Sequence, residues 1–239
     1  GGPDNSALKF RTGGVLAWEA DNIGTTGLAS VQVFTASGTW TRPADIIRVI
    51  MEVVGGGGGS GGTPSTGAGQ VSISGPGNGA GYAKKLLNVA SITTSTITVG
   101  AAGAAGAAGA NAGGTGGNSS WADGTNTITG NGGQGGAAGT AAAAPPQFAG
   151  GPGAAGGTAS GGDVNVTGSR GGNVHVVNTA ANLVNATGGS SLLGFGGVGD
   201  AAVGQLYGGG ASPRGSPENA TAAAGAAGAA GIVIVWEYK

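Results

Sequence analysis

Between Gly100 and Gly231, glycine returns every third residue in run after run. Gly100, Gly103, Gly106 and Gly109 form one run, and Gly113 and Gly116 resume it after a slip of one residue. Gly130, Gly133, Gly136 and Gly139 form another, followed by Gly150, Gly153 and Gly156, and finally Gly225, Gly228 and Gly231. Period three fits neither the α-helix, at 3.6 residues per turn, nor the strand, at 2. It fits polyproline II, which has three residues per turn, rises ~3.1 Å per residue and makes no internal hydrogen bond. Every third side chain then lies on one edge, and glycine there lets another backbone approach. The backbone N–H and C=O groups of such a segment must bond to neighbours, with Cα–H···O contacts as a smaller addition.

The runs are short, slip in register and contain little proline, which excludes a collagen triple helix. Many short helices of one chain packed side by side are expected, each ten residues spanning roughly 31 Å. A flexible Gly-Ala linker is one competing reading. An alanine-rich α-helix is the other, but a glycine at every third position costs ~1 kcal/mol each time.

Composition agrees with cohesion through the backbone. Glycine supplies 59 of 239 residues, and charged residues are 8% against an ordinary ~25%. The net charge of -1 offers no electrostatic hold on nucleic acid or an anionic membrane. Without cysteine there is no disulfide framework and no thiolate metal site. No apolar run approaches the ~20 residues of a membrane-spanning helix. The single methionine is Met51, so a C-terminal fragment or processed product of a longer protein is expected.

Ordinary strand patterns flank the glycine-rich part. Leu8 to Thr12 alternates apolar and polar, Gly13-Gly14 reads as a turn, and Val15 to Ala20 reads as a second short strand. Asp21-Asn22 and Gly24 to Gly27 read as a break. Val31 to Thr35, Thr39 to Arg42 and the β-branched run Ile46 to Val54 follow, the last ending abruptly at Gly55 to Gly59. Gly81 to Val89 and Ser95 to Val99 are further strands, and Ile232 to Tyr238 closes the chain. A continuous apolar strand at a terminus belongs inside a sheet, so it is expected to pair with 46–54 or a neighbour. The expected fold is mainly β with polyproline II. A short β segment over 1–30 precedes a glycine-rich domain over 31–239, in which strands at 31–54, 81–99 and 232–238 frame a bundle over about 100–231.

Val33-Phe34-Thr35, then Gly38-Thr39-Trp40-Thr41, Pro43 and a strand ending Val53-Val54-Gly55-Gly56-Gly57-Gly58-Gly59 resemble the start of the glycine-rich domain of bacteriophage tail fibres and tail adhesins. Gly79 to Lys85, Thr96 to Gly100, Gly161 to Gly168 and the ending Ala230 to Tyr238 fit the same pattern, so the resemblance covers roughly 31–239. Leu8 to Gly14, with Asp21 and Ile23 to Thr26, resembles repeats of fibre shafts. The resemblance implies a trimeric shaft and a receptor-binding tip that recognises a bacterial surface, with polyproline II sandwiches in related adhesins. It also implies an aromatic on the bundle edge at Trp121.

The residues themselves offer no convincing catalytic set. His175 is the only histidine, inside the alternating Val174-His175-Val176, with no partner for a base nearby in sequence. Asp123, Asp163 and Asp200 lie in the glycine-rich part, but too few carboxylates are present to favour a glycosidase pair. Asp163 is expected to bond local backbone. Gly55 to Gly62 follows a strand yet has no lysine and no helix after it, so it is not a phosphate loop. It reads as the start of the bundle. No metal and no cofactor are expected.

Large residues where the period lapses are the better candidates, because loops on rigid scaffolds carry binding and aromatics favour interfaces. Phe148, after Pro145-Pro146, and His175, Phe195, Tyr207 and Arg214, in the long lapse over 173–220, are the expected receptor contacts, together with loop 140–149. The expected function is non-catalytic host attachment at the tip of a virion's tail fibre. Its partners are a bacterial outer-membrane protein or glycan, two further copies in a homotrimer, and the rest of the fibre. A purely structural fibre component and an ice-binding polyproline II bundle are the rivals.

Overall fold

The computed structural model describes residues 6–10, 16–20, 27–143, 147–149, 155–176, 178–180, 183–184 and 186–239, with backbone alone for 6–10, 16–20, 147–149 and 183–184. The breaks expected at Gly13-Gly14 and 21–26, and Pro145, Pro146, Gly150 and Gly153, lie outside the described residues. Among the described residues there is no helix. The strands are β1 (Ser6–Phe10), β2 (Leu16–Ala20), β3 (Leu28–Phe34), β4 (Gly38–Thr41), β5 (Arg48–Val54), β6 (Gln70–Ile73), β7 (Tyr82–Asn88), β8 (Thr94–Thr98) and β9 (Ser119–Ala122). They continue with β10 (Thr127–Gly130), β11 (Thr140–Ala143), β12 (Gln147–Ala149), β13 (Ala159–Ser160), β14 (Val164–Val166), β15 (Val174–Val176), β16 (Leu183–Val184), β17 (Gly215–Ser216) and β18 (Ile232–Tyr238).

The flanking strands build two antiparallel five-stranded sheets. One has the order β14-β7-β5-β18-β3 and the other β13-β10-β9-β8-β4. The expected pairing of the C-terminal strand with the β-branched run is present, with Ile232 opposite Val54 and Tyr238 opposite Arg48. Alternation then decides what is buried. Val49, Met51 and Val53 of β5 and Val233 and Val235 of β18 point inward onto Trp40, Ile97, Trp121 and Ile128 of the second sheet. The Trp40 and Trp121 rings lie 6.2 Å apart at 55°. Trp121, expected on the bundle edge, is instead fully buried in this sandwich. Ser119-Ser120-Trp121-Ala122 has become a strand that alternates like its neighbours.

The sandwich has a bundle end and a free end. β5, β8 and β10 run toward the glycine-rich segments, and β7, β9 and β18 return from them. Residues 55–63, read from sequence as the start of the bundle, are its centre. Their N–H groups turn to a new neighbour at each residue and come back every third. Gly55, Gly58 and Gly61 donate to 75–81, Gly56, Gly59 and Gly62 to 111–117, and Gly57, Ser60 and Thr63 to 223–229. Their carbonyls accept from three other segments. Gly103, Gly106 and Gly109 donate to Gly57, Ser60 and Thr63, Gly133, Gly136 and Gly139 donate to Gly56, Gly59 and Gly62, and Ala211 donates to Gly58. The glycines of the period-three runs thus turn their N–H groups inward, while the alanines between them in 101–108 are mostly exposed.

Residues 74–81 form a second central segment. It donates to 131–137 and 208–214 and accepts from 55–61, Gly157 and Gly189. Glycine is required at such positions because of close approach. A Cβ on Gly59 would come within 2.6 Å of the Ala104 carbonyl carbon and 2.9 Å of the Gly103 oxygen.

The far end of the bundle carries a cap of two small sheets, β11-β6-β17 and β12-β15-β16. Val71, Ile73, Val174, Val176 and Ala186 form its core. The chain leaves on 55–63, turns through the cap and returns on 74–81. β1 and β2 pair as a hairpin with Leu8 opposite Trp18 and Phe10 opposite Leu16.

Candidate functional site

The five expected contact residues fall into two groups. Phe148 and His175 meet at the cap, directly opposite one another in the β12–β15 register. Phe148 therefore sits on a short strand and not at a free loop tip. His175 is half-buried in β15. Arg214 is also at the cap end, where Ser74 N–H donates to its carbonyl at 2.9 Å. Its guanidinium pairs with Asp200 at 3.1 Å, and the same carboxylate accepts from Gly215 N–H at 2.7 Å. Asp200 thus ties the chain at 214–215 to its own loop.

Phe195 and Tyr207 lie on two adjoining segments on the flank, nearer the sandwich. Gln205 N–H donates to Phe195 O at 2.8 Å, and Tyr207 N–H donates to Leu193 O at 3.3 Å. Ser191 Oγ ties the pair by donating to Tyr207 O and accepting from Gly194 N–H at 2.9 Å. Tyr207 packs against Val54, Ala80, Tyr82 and Ile232 where bundle meets sandwich. At that junction burial, reinforced by a hydrogen bond to Glu52, pushes the Tyr82 hydroxyl well above the ordinary tyrosine value. It therefore stays a donor, at 3.0 Å from Glu52 Oε1, which also receives Lys84 at 3.1 Å.

Phe195 is different. It is 77% exposed and is surrounded in sequence by other exposed apolar side chains: Leu192, Leu193, Val198, Val203 and Leu206. Isolated apolar residues on a surface are ordinary, but a concentration of them marks a contact surface. These aliphatic residues were not among the expected contacts, which were aromatic or charged side chains and the single histidine. Their signal was available: Leu192-Leu193-Gly194-Phe195 belongs to neither a period-two nor a period-three pattern, so no core was expected to absorb it.

The three carboxylates weighed for hydrolysis are each engaged elsewhere. Asp123 binds within its own turn. Asp163, expected to bond local backbone, reaches β7, accepting from Leu86 N–H at 2.9 Å with Lys85 at 3.5 Å. The Leu86 bond, with Lys85 beside it, holds Asp163 below its ordinary value. Asp200 pairs with Arg214 as above. Among the described residues no group of histidine and carboxylate side chains is arranged to hold a metal ion.

No curated protein matches the chain. The sequence pattern of the glycine-rich domain family matches residues 32–238, from β3 through β18, which takes in both sheets of the sandwich, the bundle and the cap. The chain belongs to the glycine-rich domain family.

Proposed function

We propose that this chain is a non-catalytic attachment module, the tip of a bacteriophage tail fibre, which binds a receptor on the bacterial surface through the apolar flank at 192–206. The observation that carries the reading is that flank: Phe195, Leu206 and their neighbours are exposed on segments whose backbone is tied to the bundle. Contact residues held on a stiff frame lose less entropy on binding. The cap, with Phe148 and His175, is a second contact region at the far end.

We also infer that the glycine-rich segments are polyproline II helices. A donor direction that returns every third residue is the expected behaviour of a helix with three residues per turn. Assembly as a homotrimer draws support from two apolar regions. The hairpin register sets the apolar Leu8 opposite Trp18 and Phe10 opposite Leu16, and an isolated two-stranded hairpin is at best marginally stable in water. The outer face of the first sheet shows Val31, Val33, Leu86 and Val164, all exposed. Three copies on one shaft would make weak contacts multivalent. A virion surface is the location this reading implies.

The test is saturable binding of labelled protein to a panel of bacterial strains. Phe195→Asp combined with Leu206→Asp is expected to weaken binding at least ~30-fold, as loss of an interface hot spot worth about 2 kcal/mol does. Both side chains are exposed, so the melting temperature is expected to stay within ~2 °C of the parent. Unchanged binding by the double variant would remove the flank as the contact site.

A further inference from the structure

The outer face of the second sheet is tiled with small hydroxyl side chains. Thr39 stands opposite Thr96, Thr41 opposite Thr94, and Thr98 opposite Ser120. Thr129 stands between Ser120 and Ser160, and Ala122 between Thr96 and Thr127. Thr39, Thr41, Thr94, Thr96, Thr98, Thr127 and Ser160 are exposed. Strand geometry spaces such residues at ~4.8 Å across the sheet and ~6.8 Å along it. Threonine is a common solvent-facing strand residue, but here no strand residue of the face is charged, although charge is one common protection of edge strands.

At the free end of the sandwich this face runs into a polar cleft of about 370 Å³ between the 88–94 connection and the 123–126 turn. A neighbouring hollow over Thr39, Thr96 and Ala122 shares Thr94 and Asp123 with it, so the two are continuous. Asp123 is fixed in place. Its Oδ1 accepts from Thr125 N–H at 2.8 Å and Asn126 N–H at 2.6 Å, and its Oδ2 accepts from Asn126 Nδ2 at 3.0 Å. Partial burial raises its pKa, but these bonds from Asn126 and Thr125 outweigh that and hold it below the ordinary carboxylate range. A carboxylate has about four acceptor sites, so after three bonds one remains for a ligand. Ile92 supplies an apolar wall, and Asn88 lines the floor with its Oδ1 held by Ala90 N–H at 2.9 Å.

We infer that this cleft and the threonine face together bind a neutral polysaccharide. Sugar hydroxyls both donate and accept, as threonine hydroxyls do, while Asp123 takes a donated sugar hydroxyl. Sugar C–H groups find the threonine methyls and Ile92. Neither hollow is lined by lysine or arginine, so an acidic glycan would meet the Asp123 charge with nothing to offset it. Without an aromatic platform each site is weak, and affinity rises through several sites on one chain of sugar or several copies of the protein. This site is distinct from the flank at 192–206 and does not depend on it.

The experiment is binding of the purified full chain to soluble dextran, mannan and β-glucan, with heparin as the anionic control. At least one neutral polysaccharide is expected to bind, and heparin is not. Thr96→Lys and Asp123→Asn are each expected to lose at least ~10-fold, while Phe195→Asp with Leu206→Asp keeps full binding. Thr96 is exposed, so circular dichroism of Thr96→Lys should match the parent. The inference is overturned if none of the three neutral polymers binds, if heparin binds as tightly as the best of them, or if Thr96→Lys binds like the parent. Thermal hysteresis that Thr96→Lys abolishes, without polysaccharide binding, would assign the face to ordered water and overturn it as well.

Discussion

Gly58→Ala is expected to lower the thermal unfolding midpoint by roughly 6–12 °C, from a cost of about 3 kcal/mol in a domain of this size. Gly58 sits in the first central segment and faces several neighbours at once. Its N–H donates to Asn78 O at 2.9 Å, and its carbonyl accepts from Ala211 N–H at 2.9 Å. The direction a side chain would take points at Gln134. An added Cβ would overlap the Gln134 carbonyl oxygen and come within 2.5 Å of its carbon and 3.0 Å of the Gly133 oxygen. These are backbone atoms, so no rotamer change relieves the clash. The segment 130–139 would have to move outward, and its own bonds from Gly133 and Gly136 to Gly56 and Gly59 hold it in place. Gly38→Ala is the control. Nothing lies within 4 Å of the Cβ it would add, and its midpoint should match the parent. A thermal scan of both variants decides it: equal midpoints would mean the bundle is loose enough to absorb a methyl group, contrary to the packing described.

Much of the frame was legible. Ile46 to Val54 and Ile232 to Tyr238 are β-branched and long enough for period two to stand out, and they pair as expected. Within the described residues, the period-three stretches 100–116, 131–139 and 225–231 are neither helix nor strand. What was not legible is what depends on distant partners. Gln70 to Ile73 is too short to read as a strand by itself. It becomes one because Thr140 to Ala143 and Gly215-Ser216 pair along its two edges. Trp121 was expected on the bundle edge from the family resemblance, yet its core is made by residues 81 before and 112 after it, Trp40 and Val233. Gly55 to Gly62 read only as the start of the bundle, because a run of glycine has no internal signature. Its place at the centre comes from six neighbours that bond to it in rotation. The contact residues divide the same way. Phe195 was visible as a large side chain without a periodic partner, whereas the packing of Tyr207 and the ion pair of Arg214 depend on Val54 and Asp200, which no local pattern connects to them.

Glu237→Leu is expected to destabilise the sandwich by about 3 kcal/mol, and adding Trp40→Phe to restore part of the loss. Glu237 lies on the inner face of β18 and is fully buried. Among the described residues no lysine or arginine pairs with it; neutral donors hold it. Trp40 Nε1 and Gln32 Nε2 each donate to Oε1 at 2.7 Å, and Ser30 Oγ donates to Oε2. Ser30 and Gln32 belong to β3 in the same sheet, but Trp40 belongs to β4 in the other, so the carboxylate ties the two layers together. Removing it leaves the buried indole N–H without an acceptor, at ~1–3 kcal/mol, and the half-buried Gln32 amide without its carboxylate partner. Replacing both partners by apolar groups removes one of those orphans, which is why the double variant should recover although it lacks more of the native network. A thermodynamic cycle of the parent, both single variants and the double variant measures this. If Glu237→Leu were as stable as the parent, the two sheets would be held by Trp40, Trp121 and the aliphatic core alone. If instead the two losses simply added, the Trp40–Glu237 bond would contribute nothing of its own. The expected sign is a coupling of at least ~1 kcal/mol between these residues, since the bond is buried and crosses from one sheet to the other.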